Sequence, residues 1–361
     1  MNDHPSPSEE APNKATPPHH HGPSKPKILV VGAGAIGGYY GGKLAQSGAA
    51  VSTVHHSQAD YEAVRQNGYH VESIHGNFHY HPFSVHREVS EYTFSADTIL
   101  VAVKALPELD VAELIRPAVK EKTVILLVQN GLGIEAKVAQ AFPNNPLISG
   151  LAFICVSRTR PGVIRHLCYG RLSIGPYPRG EETHTQTLAT LFEASGVPCA
   201  VCEDIIGERW KKLVWNAAFN PISVLGHRAT TRDMMDAPDI RTLIEHVMRE
   251  VCRLANAEGH PLDEEAIIAK NMAETDRMES YKTSMLLDFE AGRSLEVEAI
   301  LGTVTRLSHK HRIPTPHLET LYALLKLAAR PQERTDHPRS QETRIAACTN
   351  ETKTNPYAPP T

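Results

Sequence analysis

The 361-residue chain has little of what membrane, secreted and nucleic-acid-binding proteins need. Its best apolar run, residues 147–156, is ten residues long, whereas a helix that spans a bilayer needs about 20. Lysine and arginine number 37 against 41 aspartates and glutamates, with no basic block to attract nucleic acid or anionic lipid. The first 26 residues lack the apolar core of a signal peptide. We therefore expect a cytoplasmic chain without nucleic-acid or membrane partners.

Cysteine is also scarce, and its pattern does not favour a metal or redox site. We expect the six cysteines of a cytosolic chain to be free thiols, mostly packed as small core residues. Cys199 and Cys202 form a C-x-x-C pair inside an apolar run, which favours a strand that packs both sulfurs. His75, His79 and His81 lie in an alternating segment, for which we expect an antiparallel, solvent-exposed hairpin and no metal.

Proline is concentrated at the two ends of the chain. Twelve of the 26 prolines fall within residues 1–26 and 331–361. These segments hold too few large apolar residues to offset the entropy of ordering them, so we predict that both are disordered tails. The remainder is long enough for two domains of about 150 residues each. We place a nucleotide-binding domain in residues 27–203 and a helical domain in residues 204–330.

The first organised segment has the order strand, glycine turn, helix. A β-branched run at residues 27–31 leads into the sequence GAGAIGG and then into a segment with helix-like apolar spacing. This pattern predicts an α/β Rossmann fold, a doubly wound parallel sheet that binds a dinucleotide. Gly32 permits the tight turn, Gly34 lets backbone approach a pyrophosphate, and Gly37 lets the helix pack against the strand. The predicted cofactor-binding loop consists of Gly32, Ala33, Gly34, Ala35, Ile36 and Gly37.

The residues after the second predicted strand, residues 50–54, indicate which cofactor binds. NAD sites place an aspartate or glutamate there for the ribose 2′-hydroxyl, whereas NADP sites avoid that acid and favour a cation for the 2′-phosphate. This chain has His55, His56 and Ser57 at that point. The absence of a carboxylate predicts NADP(H), although a neutral histidine binds phosphate less well than arginine does.

Two more buried strands are predicted, at residues 98–103 and 124–128. Lys104 follows the first strand and Asn130 follows the second. Because ligands of open α/β sheets bind at the carboxyl ends of the strands, both residues are candidate site residues. A surface lysine and an ordinary Asn-Gly turn are the alternative interpretations.

A polar stripe marks one helix of the second half. Lys212, Asn216 and Asn220 recur every four residues, so they lie along one side of a helix. An exposed stripe usually carries better helix formers than asparagine, which favours the lining of a cleft over a solvated face. Pro221 is expected to end the regular helix. Glu296 and Glu298 are two residues apart, so at most one of them faces a shared site.

Five motifs follow one another along the chain: GAGAIGG, VAVKA, QNGLG, WKKLVWNAAFNP and TSMLLDFEAGRSLEVE. In this order and at these separations they resemble the ketopantoate reductase (2-dehydropantoate 2-reductase) family, over nearly all of residues 27–330. The resemblance implies an N-terminal Rossmann domain followed by an all-helical domain similar to that of 6-phosphogluconate dehydrogenase. It also implies that NADPH and a 2-oxo acid bind in the cleft between the domains.

The resemblance further implies roles for individual residues. Lys212 matches the general acid, and Glu296 matches the acidic residue beside it and beside the nicotinamide ribose. The positions that match substrate-binding residues are Asn130, Asn216, Asn220 and Ser284, of which Ser284 contacts the substrate carboxylate. The positions that match cofactor-binding residues, besides the glycine loop, are His56, Lys104, Asn130, Val156 and Glu296. Two positions depart from the family: His56 replaces a frequent arginine, and Thr230 replaces a substrate-contacting asparagine of some members.

Three hypotheses follow from these residues. The leading one is NADPH-dependent reduction of 2-dehydropantoate to (R)-pantoate, a step toward pantothenate and coenzyme A. The second keeps the fold but changes the substrate to another branched 2-oxo acid, which the departure at Thr230 motivates. The third is a catalytically silent NADP-binding protein, and the presence of both Lys212 and Glu296 counts against it. The sequence leaves a homodimer open as the assembly.

Overall fold

The computed structural model describes residues 25–180 and 182–330. Most of the two predicted tails, residues 1–24 and 331–361, lies outside the described residues. Among the helices within the described ranges, none is both long enough and apolar enough to cross a membrane.

In the described part of the N-terminal region, ten strands form one sheet. They are β1 (Lys27–Val31), β2 (Ala50–Val54), β3 (Tyr69–Ser73), β4 (Phe78–Tyr80), β5 (Ser84–His86), β6 (Thr98–Val101), β7 (Val124–Leu127), β8 (Leu147–Arg160), β9 (Val163–Pro176) and β10 (Cys199–Val201). The strand order is β4-β3-β9-β8-β7-β6-β1-β2-β5, with β10 beside β9. All pairs are parallel except β3–β4 and β8–β9. The order reverses at β1, so its carboxyl end is the place where a ligand of an open α/β sheet binds.

Within the described residues, twelve α-helices accompany the sheet or form the second region. Those of the sheet region are α1 (Ala35–Gln46), α2 (Gln58–Asn67), α3 (Val111–Ile115), α4 (Glu135–Ala141) and α5 (Thr183–Ala194). Those of the helical region are α6 (Ile205–Leu225), α7 (Thr231–Asp236), α8 (Pro238–Ala257), α9 (Glu264–Arg277), α10 (Ser284–Glu290), α11 (Thr303–His311) and α12 (Pro316–Ala328). Short 3₁₀ turns lie at 89–91 and 116–118, and one π-helical turn lies at 298–302.

Strand β1 shows why the sheet is covered on both faces. Ile28 and Val30 pack into a core that includes side chains of α1 and α5, while Leu29 and Val31 pack into a second core with α3 and α4. All four side chains are buried, as the continuous apolar run of a central parallel strand requires. The predicted fold class, an α/β doubly wound sheet followed by an all-helical region, is confirmed.

The alternating segment at residues 71–90 is only partly the antiparallel hairpin that was predicted. Strands β3 and β4 do pair antiparallel. However, β3 also pairs parallel with β9, and β5 pairs parallel with β2 at the edge of the sheet. Alternation of apolar and polar residues reports a half-buried strand, but it carries no information about which strand is the partner.

Helix α6 is the centre of the helical region and packs against α8, α10 and α12. The prediction that Pro221 ends this helix is wrong, because the helix continues through Pro221 to Leu225. A proline removes one backbone donor. On either side of it, Phe219, Ile222 and Val224 are buried in the helical core, and this packing keeps the chain helical.

The expectation that all cysteines are free thiols is also wrong. Cys155 and Cys168 form a disulfide. They are directly paired residues on the antiparallel strands β8 and β9, with Cα atoms 5.1 Å apart, a spacing that suits a disulfide. Among the described residues Cys199, Cys202 and Cys252 are free. Strand β10 buries the sulfur of Cys199 but ends before Cys202, which is only partly buried.

The secondary structure changes sharply near residue 203. The last strand ends at Val201 and α6 begins at Ile205. We propose that the boundary between the two domains lies there, between residues 203 and 204.

Candidate active site

The carboxyl edge of the sheet and the helical region together line a cavity of about 890 Å³. On the sheet side, the predicted site residues that line it are Gly34, Ala35, Ile36, Lys104, Asn130 and Val156. On the helical side they are Lys212, Asn216, Ser284 and Glu296. The predicted site residues that are not part of its lining are Gly32, Ala33, Gly37, His56 and Asn220.

The glycine loop has the geometry that its sequence predicts. Gly32 has a φ of +88°, and a Cβ atom there would lie 2.5 Å from the backbone nitrogen of Val103. A Cβ atom on Gly37 would lie 2.6 Å from the carbonyl oxygen of Gly32. A Cβ atom on Gly34 would meet nothing within 4 Å, so this residue faces open space at the start of α1. The loop therefore fits a pyrophosphate group at Gly34, next to the amino end of a helix.

Lys212 lies on α6 and points into the cavity. Its Nζ donates hydrogen bonds to Oδ1 of Asn130 and to the carbonyl oxygen of Ala152, both at 2.9 Å. The pKa of Lys212 is lowered to about 8, first by burial and then by the charge of Arg209, while the charge of Glu296 acts in the opposite direction. Lys212 is thus mostly an ammonium at neutral pH, with a proton that is easier to transfer than that of an exposed lysine.

Glu296 completes a short polar chain with Asn130 and Lys212. Its Oε1 accepts a hydrogen bond from the backbone N–H of Ala105 at 2.9 Å, and its Oε2 accepts one from Nδ2 of Asn130 at 3.3 Å. Burial raises the pKa of Glu296, and these two hydrogen bonds oppose that rise. The Asn130 amide donates to the carboxylate and accepts from the ammonium, so its two neighbours fix its orientation.

Glu298 points elsewhere, as the two-residue spacing predicted. Its carboxylate accepts a hydrogen bond from the hydroxyl of Tyr322 at 2.6 Å and pairs with Arg306 at 2.7 Å. Only Glu296 of the two glutamates lines the cavity.

Lys104 joins the sheet edge to the helical region. Its Nζ lies 2.8 Å from Oδ2 of Asp288 and donates a hydrogen bond to the carbonyl oxygen of Ser294 at 2.7 Å. Asp288 also pairs with Arg293 at 2.7 Å. Lys104 lines the cavity and makes contacts across it, which favours a site role over the surface-lysine alternative.

The polar stripe of α6 reaches the cavity at two of its three positions. Lys212 and Asn216 line the cavity, whereas Asn220 is buried in the protein and its Oδ1 has no hydrogen-bond partner among the described residues. The spacing of four residues predicts that the three side chains lie on one side of the helix. It does not predict which of them line the cavity and which are buried in the core. Thr230 also lies outside the lining, since it caps α7 and its hydroxyl donates to Asp233 at 2.7 Å.

Arg209 supports the site, although it is not among the residues that the sequence predicts to belong to it. Its fully buried guanidinium pairs with Glu135 at 2.6 Å. Nη1 donates to the carbonyl oxygens of Gln129 and Gly131, at 2.8 and 3.1 Å, so Arg209 holds the turn that carries Asn130 from both sides. In the sequence, Arg209 is one of several charges in a helical run, and no local signal distinguishes it from a surface residue.

His55 and His56 differ although they are neighbours at the end of β2. His55 is buried, and its pKa is lowered to about 4, first by burial and then by the charges of Arg158 and Arg87. It is therefore neutral at pH 7. His56 is exposed, and its carbonyl oxygen accepts a hydrogen bond from Nη2 of Arg87 at 3.0 Å.

Comparison with known proteins agrees with this geometry. The family model Ketopantoate reductase PanE/ApbA matches residues 28–179, and its C-terminal counterpart matches residues 204–329. The chain belongs to the ketopantoate reductase family. A 2-dehydropantoate 2-reductase of Nostoc sp. from this family is 35% identical over 306 residues, which cover 83% of this chain and 94% of the relative.

Solved structures extend the comparison to the fold. The crystal structure of 2-dehydropantoate 2-reductase from Methylococcus capsulatus is 45% identical, with a TM-score of 0.77, and covers 83% of this chain and 96% of that chain. A D-mandelate dehydrogenase with NADH and anilino(oxo)acetate has a TM-score of 0.78 at 22% identity and covers 84% of this chain and 98% of that chain. At that identity the dehydrogenase shows a shared fold.

Proposed function

We propose that this protein reduces 2-dehydropantoate to (R)-pantoate with NADPH. The observation that carries the proposal is the chain of contacts from Glu296 through Asn130 to Lys212, in the same cavity that the glycine loop lines. Relatives named 2-dehydropantoate 2-reductase cover most of the chain and support the same substrate.

The residues of the sheet edge fit the proposed cofactor. When bound, NADPH supplies a hydride to the ketone carbon of the substrate. The open side of Gly34 leaves room for a pyrophosphate, which supports a binding role for the loop from Gly32 to Gly37. Deeper in the cavity, we propose that the nicotinamide end is held by Lys104, Asn130, Val156 and Glu296.

Lys212 is the proposed general acid. Reduction of a ketone builds negative charge on its oxygen, and an ammonium can both offset this charge and deliver the proton. The oxygens of Asn130 and Ala152 orient the ammonium in the cavity. Glu296 holds the amide of Asn130, and its charge helps to keep Lys212 protonated.

Asn216 and Ser284 are the proposed substrate-binding residues of the helical region, since both line the cavity with Lys212. Their amide and hydroxyl groups can donate hydrogen bonds to the carboxylate and hydroxyl oxygens of a 2-oxo acid. The corresponding role of Asn220 rests on the sequence resemblance alone, because its buried side chain lies outside the lining.

A second candidate substrate is another branched or aromatic 2-oxo acid. The observation that favours it is the apolar part of the cavity wall, which includes Trp215, Ile267, Met278 and Tyr281. These side chains could contact a substrate group larger than that of 2-dehydropantoate.

Steady-state oxidation of NADPH with a panel of 2-oxo acids tests the choice of substrate. We expect the highest kcat/KM for 2-dehydropantoate among the branched and aromatic acids of the panel. A clear preference for another acid would contradict the proposed substrate, and absence of turnover with every acid would contradict the proposed activity.

We propose that the enzyme works in the cytoplasm. A homodimer stays a prediction, which a measurement of the molecular mass in solution would test.

A further inference from the structure

We propose that Arg87 binds the 2′-phosphate of NADPH and makes the protein prefer NADPH to NADH. The inference rests on the proposed function, because it concerns how that function's cofactor is recognised. A phosphate group at the end of β2 needs a cation, and the three residues that follow this strand, His55, His56 and Ser57, carry no permanent positive charge. The structure supplies one from the neighbouring strand.

Strand pairing brings Arg87 to the end of β2. Strand β5 runs parallel to β2 at the edge of the sheet, with Val54 opposite His86. The backbone N–H of His55 continues the ladder by donating to the carbonyl oxygen of His86 at 2.9 Å. Arg87 is the next residue after β5, so it comes to lie beside His56 at the same carboxyl edge.

Contacts of the guanidinium hold it at this edge. Nη2 of Arg87 donates to the carbonyl oxygen of His56 at 3.0 Å, and Nη1 donates to the side-chain oxygen of Gln58 at the start of α2. The guanidinium also lies near the ring of Tyr61, 5.9 Å from its centroid. Nε is buried and has no hydrogen-bond partner among the described residues.

Within the part of the chain that the structure describes, no ion pair neutralises the charge of Arg87. Its two hydrogen-bond acceptors, the Gln58 side chain and the backbone carbonyl of His56, are both uncharged, and no carboxylate of the described residues lies within 4 Å of its guanidinium. Glu91 accepts a hydrogen bond from the backbone N–H of Arg87 instead. The other arginine near this edge, Arg158, is paired with Asp60. Of these two arginines, Arg87 is therefore the one whose charge no ion pair within the described residues neutralises, and it can bind an anion at the end of β2.

The ligand chemistry follows from this charge. A guanidinium binds phosphate through two parallel, charge-assisted hydrogen bonds, which a ribose hydroxyl cannot match. NADPH carries a 2′-phosphate and NADH carries a hydroxyl at the same atom. The loss of Arg87 should therefore weaken the binding of NADPH and leave the binding of NADH nearly unchanged.

The test compares cofactor affinities of the full-length protein by isothermal titration calorimetry. We expect Arg87→Gln to weaken NADPH binding by about ten- to one-hundred-fold, the usual size of a lost hydrogen bond to a charged group, with NADH affinity unchanged. Arg65→Gln is the matched control, because Arg65 lies over the same Tyr61 ring at 5.8 Å. It should change neither affinity.

A second variant pair separates charge from structure. Arg87→Lys keeps the charge and should retain more NADPH affinity than Arg87→Gln, and adding His56→Arg to Arg87→Gln should restore NADPH affinity. The inference is overturned if Arg87→Gln binds NADPH as the unmodified protein does, if it loses NADH affinity equally, or if His56→Arg restores nothing.

The inference and the proposed function fail in different ways. If the unmodified protein reduces no 2-oxo acid, the proposed function fails, and the affinity ratio still reports on Arg87. If the unmodified protein reduces 2-dehydropantoate but Arg87→Gln keeps its NADPH affinity, the role of Arg87 fails while the function stands.

Discussion

At the scale of single residues, Asn130 is the link between the two halves of the site. Its amide connects Lys212 of the helical region to Glu296, and the turn that carries it is held by Arg209. The Asn-Gly turn was visible in the sequence, together with its place after a buried strand. Its support by a buried arginine from the other region was not, because a contact between residues about 80 positions apart leaves no local pattern.

The lowered pKa of Lys212 predicts the alkaline side of the pH profile. A general acid must be protonated, so kcat/KM should fall as pH rises through about 8. The charge of Glu296 raises the pKa of Lys212, so Glu296→Gln should move this fall to lower pH. The measurement is kcat/KM for 2-dehydropantoate from pH 6 to pH 10, in steps of about half a unit. An unchanged pH profile in Glu296→Gln would contradict the claim that the charge of Glu296 raises the pKa of Lys212.

The buried pair of Arg209 and Glu135 predicts a large stability effect. Arg209→Met would leave Glu135 buried without its partner, which typically costs about 3–5 kcal/mol. Removal of both charges in Arg209→Met with Glu135→Met should recover much of that loss. Urea unfolding monitored by circular dichroism gives the free energies of unfolding. Equal stabilities of the single variant and the unmodified protein would show that the pair is not a buried ion pair in solution.

At the scale of elements, the sequence predicts best where the pattern is local. Strands β1, β6 and β7 precede the glycine loop, Lys104 and Asn130. Their ends were predicted to within two residues, because β-branched runs and the turn residues that follow mark them. The strand pair β8–β9 was not predicted. The last four residues of β8, from Ser157 to Arg160, are polar, and this part is a strand because β9 continues beside it. The same pairing brings Cys155 to Cys168.

The glycine loop offers a matched pair of variants. A methyl group at Gly34 meets no protein atom within 4 Å, so Gly34→Ala should leave the melting temperature unchanged but weaken NADPH binding, since it fills the space of the proposed pyrophosphate. A methyl group at Gly32 meets the backbone of Val103, so Gly32→Ala should lower both. Thermal melting and NADPH titration distinguish the two. Unchanged NADPH affinity in Gly34→Ala would remove the pyrophosphate from this position.

At the scale of the whole molecule, the cavity exists because two unlike regions meet. The sheet contributes the glycine loop and the strand ends, and α6 contributes Lys212. The ion pair between Lys104 and Asp288 ties the two sides together. The order of these regions could be predicted from the sequence, because the spacing of apolar residues changes near residue 203 from that of strands to that of helices. The number of stripe residues on α6 that reach the cavity could not be predicted. Asn220 is the residue for which the prediction and the structure differ.

The central claim is that Lys212 supplies the proton in an NADPH-dependent reduction. The most direct measurement is kcat for 2-dehydropantoate together with the NADPH dissociation constant in Lys212→Ala, beside the surface variant Lys326→Ala as control. We predict that Lys212→Ala lowers kcat by about 10²–10⁴-fold with NADPH affinity retained, and that Lys326→Ala changes neither. Unchanged turnover in Lys212→Ala would contradict the account.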